Sequence, residues 1–149
     1  MEYACAKLGR VFLLMFSDRD ILHKELADFA RRKRLKSAVM VFLGAMRKGT
    51  LVTGPRKPRI PPVPNRMAFA GGWEVLGIGT VFTNTQGPQI HIHSAMGKKA
   101  RALTGCVRND SSVFLVAEAV VFELSGIRAT KQVDPRTGIN LLHILSAHA

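Results

Sequence analysis

Apolar and polar positions along the chain fall mostly into strand-like runs, with helical spacing in one place. Arg10-Val11-Phe12-Leu13-Leu14-Met15-Phe16 is an almost continuous apolar run with β-branched and aromatic members, which predicts a buried strand. Ser17 stands three residues before Asp20 and predicts a helix N-cap with a short acidic partner. Ile21, Leu22, Leu26, Phe29 and Ala30 then recur at helical spacing, which predicts an amphipathic helix over about residues 18–33. Its last turn carries Arg31 to Arg34, where cations suit the carbonyl end of the helix dipole. Residues 37–43 read as a second strand ending near Gly44, and residues 50–53 as a short third. Pro55, Pro58, Pro61, Pro62 and Pro64 make residues 54–66 a stiff, extended loop inside the domain. Residues 73–82 are a strand in which Gly77 and Gly79 mark a bulge or a close backbone approach. Further strands are expected over residues 88–96, 112–124 and 139–145, with a turn at 134–138 before the last.

Many strands, one helix and short connections predict an α+β domain with an antiparallel-rich sheet. Residues 1–149 are expected to form one such domain, its core spanning about 8–146. The apolar strand surface exceeds what one helix covers, so oligomerisation through a sheet face or edge is expected. At 149 residues and 47% hydrophobic the chain is large enough for a real core, which argues against disorder. No apolar run approaches the roughly 20 residues that span a bilayer, and residues 1–7 carry no signal-peptide pattern. Cys5 and Cys106 alone give no disulfide framework, so a reduced, cytoplasmic protein is expected.

The formal net charge of +12 changes the picture, because it favours polyanions, anionic surfaces or acidic small molecules. It is concentrated in three blocks: Arg31 to Lys36, Arg47-Lys48 to Arg59, and Lys98-Lys99-Ala100-Arg101. The first of these is equally a solvated helix terminus.

The candidate chemistry sits in Gln89-Ile90-His91-Ile92-His93 and, thirteen residues after His93, Cys106. Side chains two apart on a strand share a face, so one extended segment aims both imidazoles at one point. A returning strand brings the Cys106 sulfur to the same place. Two imidazoles and a thiolate form a three-ligand set for zinc or a similar divalent ion, with a position left open. The same residues also suit a hydrogen-bonded histidine pair and a small buried cysteine.

Taken in order and spacing, several segments resemble the plants and prokaryotes conserved (PPC) domain. They are Gly9-Arg10-Val11-Phe12-Leu13-Leu14, the helix from Asp20 to Arg34, Leu43-Gly44-Ala45, Trp73-Glu74-Val75-Leu76-Gly77-Ile78-Gly79-Thr80, His91-Ile92-His93, Gly97, and the run from Ala117 to Leu124. The resemblance implies a mixed, mainly antiparallel sheet with a helix against one face, assembled as a homotrimer. Many members of that family carry a third histidine in a Gly-Gly-His-Leu segment. Here Thr104-Gly105-Cys106-Val107 falls on it, and Cys106 takes the histidine's place. Cysteine still ligates zinc as a thiolate, or its presence marks a site given up.

Three functions follow as expectations. A cytoplasmic metal-binding protein with a DNA-associated or regulatory role is the first. It would use His91, His93 and Cys106 for the metal, and Arg56, Lys57, Arg59, Arg101 and Arg108 as anion or nucleic-acid contacts. Plant relatives carry an AT-hook, but Gly54-Pro55-Arg56-Lys57-Pro58-Arg59 lacks its Arg-Gly-Arg core. The second is a metal-dependent enzyme, of lyase or hydrolase type, acting on a small anionic substrate. For it Glu74 and Glu118, embedded in apolar strands, are the candidate acid or base groups. The third is a metal-stabilised interaction protein without turnover.

Overall fold

In the computed structural model, which describes residues 1–146, these patterns become eight strands and one helix. The order is β1 (Lys7–Ser17), α1 (Leu22–Lys33), β2 (Ser37–Pro55), β3 (Pro64–Asn84), β4 (Gly87–Lys98), β5 (Arg101–Val107), β6 (Ser112–Ser125), β7 (Arg128–Val133) and β8 (Asn140–Ser146). Six strands form one sheet in the order β1-β6-β2-β3-β4-β5, and β7 and β8 form a separate hairpin. Every pairing among the described residues is antiparallel, which corrects the expected mixed sheet. The unit β1-α1-β2 is a crossover that would normally lay two parallel strands side by side. Here β6 inserts between them and is antiparallel to both.

The two strands expected over residues 37–43 and 50–53 are one long strand, β2. Gly44 and Gly49 look like breaks in the sequence, yet they serve close approach. A Cβ at Gly44 would stand 2.5 Å from the Ala117 Cα, and one at Gly49 would stand 2.7 Å from the Ser111 Cα. The register shifts between Met46 and Lys48, and beyond that point β2 leaves β6 and pairs with β5 at Leu51 and Val52. Strands β2, β3, β4 and β5 thereby close on one another. The glycines of β3 mark close approach: the Phe42 ring occupies the space where a Cβ on Gly77 would lie.

Helix α1 turns Leu22, Leu26, Phe29 and Ala30 into the core, and Phe29 packs edge-on against Phe12 with ring centroids 5.2 Å apart. Burial of Leu22 and Leu26 to 1% exposure contributes about 2 kcal/mol each. The expected Ser17 cap is different in kind. Ser17 N donates to Asp20 Oδ2 at 2.8 Å and Asp20 N donates to Ser17 O at 3.1 Å, which closes a turn after β1. The helix starts at Leu22, whose N–H donates instead to Ser111 O at 3.1 Å, so its first turn is tied to the segment before β6. It ends at Arg34, in the left-handed region at φ 54°. At the opposite edge Arg10 donates to both oxygens of Glu123 and to Lys33 O, joining β1, β6 and the helix end.

The run expected to be a buried strand, β1, is buried on one side only. Leu13 (81% exposed) and Met15 face outward beside Leu43 of β2 and Leu76 and Ile78 of β3, making a bare apolar sheet face.

Candidate metal centre

The site is built from the β4–β5 hairpin. Its two-residue loop, Lys99-Ala100, follows the last pair, Lys98 with Arg101, and has Lys99 at φ 53°. That register sets Cys106 directly opposite His93, and strand alternation puts His91 on the same face as His93. The two imidazoles meet edge-to-face, with ring centroids 4.9 Å apart. Potential ligand atoms of His91, His93 and Cys106 all lie within 4.8 Å of one another. Gly105 is what lets β5 reach this place: a Cβ there would stand 2.6 Å from the Val52 carbonyl oxygen of β2.

Cys106 is 9% exposed, and Arg108 Nη1 donates to its sulfur at 3.4 Å. That contact fixes the orientation of the Cys106 side chain. The position of Arg108 is itself fixed, because its N–H donates to Thr50 O at 2.9 Å. Thr50 in turn donates through Oγ1 to Asp110 at 2.7 Å. His91 is held below the usual histidine pKa, first by desolvation against the cavity wall, then by the neighbouring His93, Lys131 and Arg108. That favours the neutral imidazole a metal needs.

These residues open on a cavity of about 640 Å³. Its walls come from β4 and β5, the end of β2 with Pro55, Pro62 and Pro64, the β7–β8 hairpin, and the helix start. Two functional candidates in it are not apparent from motifs. His23, 8% exposed on α1, lines the cavity with its Nδ1 lacking a hydrogen-bond partner, and burial, with Arg108 and His91 adding to it, pulls its pKa down to about 4. Its signal in the sequence is helical: residues 23, 26 and 30 share one face. Lys131, on β7, is 9% exposed, and burial lowers its pKa. No sequence signal marks it, since β7 itself is not apparent from the apolar pattern.

Other candidates lie elsewhere. Glu74 and Glu118 are exposed rather than embedded and do not line the cavity; Glu118 borders the apolar outer face beside Leu13 and Leu43. Strand membership there means one buried and one open face, and both carboxylates take the open one. Arg101 is exposed at the far end of β5 from Cys106. Arg56, Lys57 and Arg59 are exposed on the loop joining β2 and β3, whose prolines, not its cations, line the cavity. Of the five expected anion contacts only Arg108 is at the site. Among the described residues no helix is long and apolar enough to cross a membrane.

The family model for the Plants and Prokaryotes Conserved (PCC) domain matches residues 3–125. None of the curated proteins is a significant sequence match. Among solved structures, a PPC protein from Pyrococcus horikoshii superposes with a TM-score of 0.84 at 19% identity, over 98% of this chain and 99% of that one. A metal-containing protein from Archaeoglobus fulgidus gives 0.83 at 22% identity, over 95% and 98%. A candidate DNA-binding protein from Ralstonia eutropha gives 0.74 at 19% identity, over 89% and 90%. The chain belongs to the PCC domain family, and its fold is the one these structures share.

Proposed function

We propose that this PCC-domain chain binds one divalent ion, zinc by preference, through His91, His93 and Cys106, and presents it to a small anionic molecule in the adjoining cavity. The observation that carries this reading is the convergence of three competent ligand atoms within 4.8 Å, with Arg108 set against the cysteine sulfur. The donor set fits the ion: two imidazoles and one thiolate suit a borderline-soft metal, and replacing the family's histidine by Cys106 keeps a ligand in place. The metal-containing Archaeoglobus fulgidus protein of the same fold supports it. An ion held there supplies Lewis acidity toward an oxygen of a bound molecule, moderated by the thiolate charge.

The chain's own residues do the rest. Arg108 donates to the Cys106 sulfur and orients it, and Gly105 holds β5 close enough to β2 for the sulfur to meet the imidazoles. Among the described residues no carboxylate lines the cavity to act as general base, and His23 is the buried imidazole there, its pKa pulled down to about 4. The arrangement therefore favours binding and regulation, with turnover on a small anion as the enzyme reading.

The outer apolar face supports the homotrimer. It forms a groove of about 420 Å³ lined by Leu13, Met15, Val41, Leu43, Leu76 and Glu118. Ile78 on this face is directly paired with His93, so covering it brings a second copy to the edge of the metal cluster. A second reading, association with nucleic acid, draws on the +12 charge, the exposed Arg56, Lys57 and Arg59, and the Ralstonia eutropha neighbour. Its mark would be affinity that falls steeply with salt and survives chelation.

Cobalt substitution tests the main reading. Cobalt-loaded protein should show a sulfur-to-metal charge-transfer band that Cys106→Ser abolishes. A spectrum indifferent to that change would remove Cys106 from the ligand set.

A further inference from the structure

We propose, building on the metal reading, that the cavity recognises a small oxyanion, a carboxylate or phosphate group, clamped between Lys131 and Arg108. His23 offers the hydrogen bond for a second polar group of the same molecule. Three observations carry this.

The first is the chemistry of the walls. The charged residues lining the cavity are Arg108 and Lys131, and no aspartate or glutamate joins them among the described residues. Asp110, which tempers the field at His23, stands outside the lining and is engaged with Thr50. A cavity with two cations, and a divalent ion added whose charge one cysteine thiolate only half offsets, has a strong demand for negative charge.

The second is Lys131 itself. The residue is 9% exposed, and among the described residues no carboxylate lies within ion-pairing distance. A surface lysine escapes desolvation by reaching into water, but this one is drawn inward by its strand. The hairpin that delivers it is fastened to the sheet. Thr130 Oγ1 donates to Thr83 O at 2.8 Å, Asn84 Nδ2 donates to Lys131 O at 3.2 Å, and Asn140 Nδ2 donates to Gln89 Oε1 at 3.3 Å. Burial of a cation held in place this firmly is compensated by an anion.

The third is His23. It is nine-tenths buried, lines the same cavity, and has an unpartnered Nδ1. A buried polar atom without a partner is one that a ligand can satisfy. Arg108 adjoins Cys106, so an anion on Arg108 also lies beside the metal cluster. The volume of about 640 Å³ is that of a small-molecule site. A nucleic-acid backbone would meet exposed cations such as Arg56, Lys57 and Arg59 first, whereas Lys131 is sheltered from it.

Calorimetric titration with inorganic phosphate and with malonate tests this, on zinc-loaded and on chelator-stripped full-length protein, with glycerol as the uncharged control. Saturable binding of at least one oxyanion is expected, and its preference distinguishes phosphate from carboxylate. Lys131→Met should weaken it about tenfold or more, as loss of a charge-assisted hydrogen bond does. Lys131→Arg should restore most of it, and Arg101→Met, outside the cavity, should leave it unchanged. Stripped protein should still bind, more weakly and with the same dependence on Lys131. Such binding in a protein that never takes up zinc would sustain the clamp and end the metal reading. Binding of neither oxyanion, or equal binding by wild type and Lys131→Met, would overturn the clamp. Binding seen only with zinc and indifferent to Lys131 would overturn it too, as simple ligation of the ion.

Discussion

The outer face of β1, β2 and β3 and the wall made by β4 and β5 belong to one sheet, and Ile78 and His93 sit paired where they meet. Both are open in the single chain. On the first, Leu13, Met15, Leu43, Leu76 and Ile78 are among the exposed side chains, and Glu118 borders them. On the second, the same two-residue period and the hairpin register deliver two imidazoles and a cysteine sulfur to a cavity, and Arg108 after β5 and Lys131 from β7 add two cations. Backbone geometry is the same in the two regions, and what differs is which residues occupy the open positions. Aliphatic side chains are satisfied by another apolar surface, here proposed to be that of a second copy. Donors and cations are satisfied by ions and small anions.

The comparison breaks most visibly if the two regions do not separate under mutation. His93→Ala or His91→Ala should weaken metal binding on the order of a thousandfold, leaving the mass in solution unchanged, by elemental analysis and light scattering. Leu13→Asp should do the reverse, lowering the mass toward one chain while metal content per chain stays. Loss of metal in Leu13→Asp would show that the regions depend on each other.

Acid sharpens the contrast, since the one histidine buried among the described residues, His23, lines the cavity. His23 titrates at about 4 in the folded chain and near 6.5 when unfolded, so the unfolded state binds the extra proton first as pH falls. Stability is then fully present above about pH 6.5 and is lost down to about 4, by roughly 3 kcal/mol from a shift of that size. His91, also lowered, adds in the same direction. Urea unfolding of chelated protein across this range measures the slope, and His23→Leu should flatten most of it.

Arg108→Met is expected to have the smallest effect, about ten- to a hundredfold in metal affinity, as for other residues that orient a ligand. An unchanged affinity would mean the Cys106 sulfur needs no guanidinium.

How much of this can be read from residues alone depends on range. His91, His93 and Cys106 are legible because a strand period and one tight hairpin bring them together, both local geometries. The helix face from Leu22 to Ala30 is legible for the same reason. His23 and Lys131 are not, because α1, β4 and β7 meet at the cavity only through the fold. The continuity of β2 is hidden in the same way. Gly44 and Gly49 punctuate the sequence, but each exists to let a distant strand or loop approach. The run in β1 reads as fully buried because its outward leucine and methionine continue the apolar pattern, and only the fold shows that nothing among the described residues covers them.

The most direct measurement is elemental analysis of purified, untagged protein, reported as metal per chain beside the mass in solution. Near one zinc per chain, falling to background in His93→Ala, is the predicted result. No bound metal after zinc is offered in excess would contradict the metal centre and leave His91, His93 and Cys106 as the remnant of a lost site.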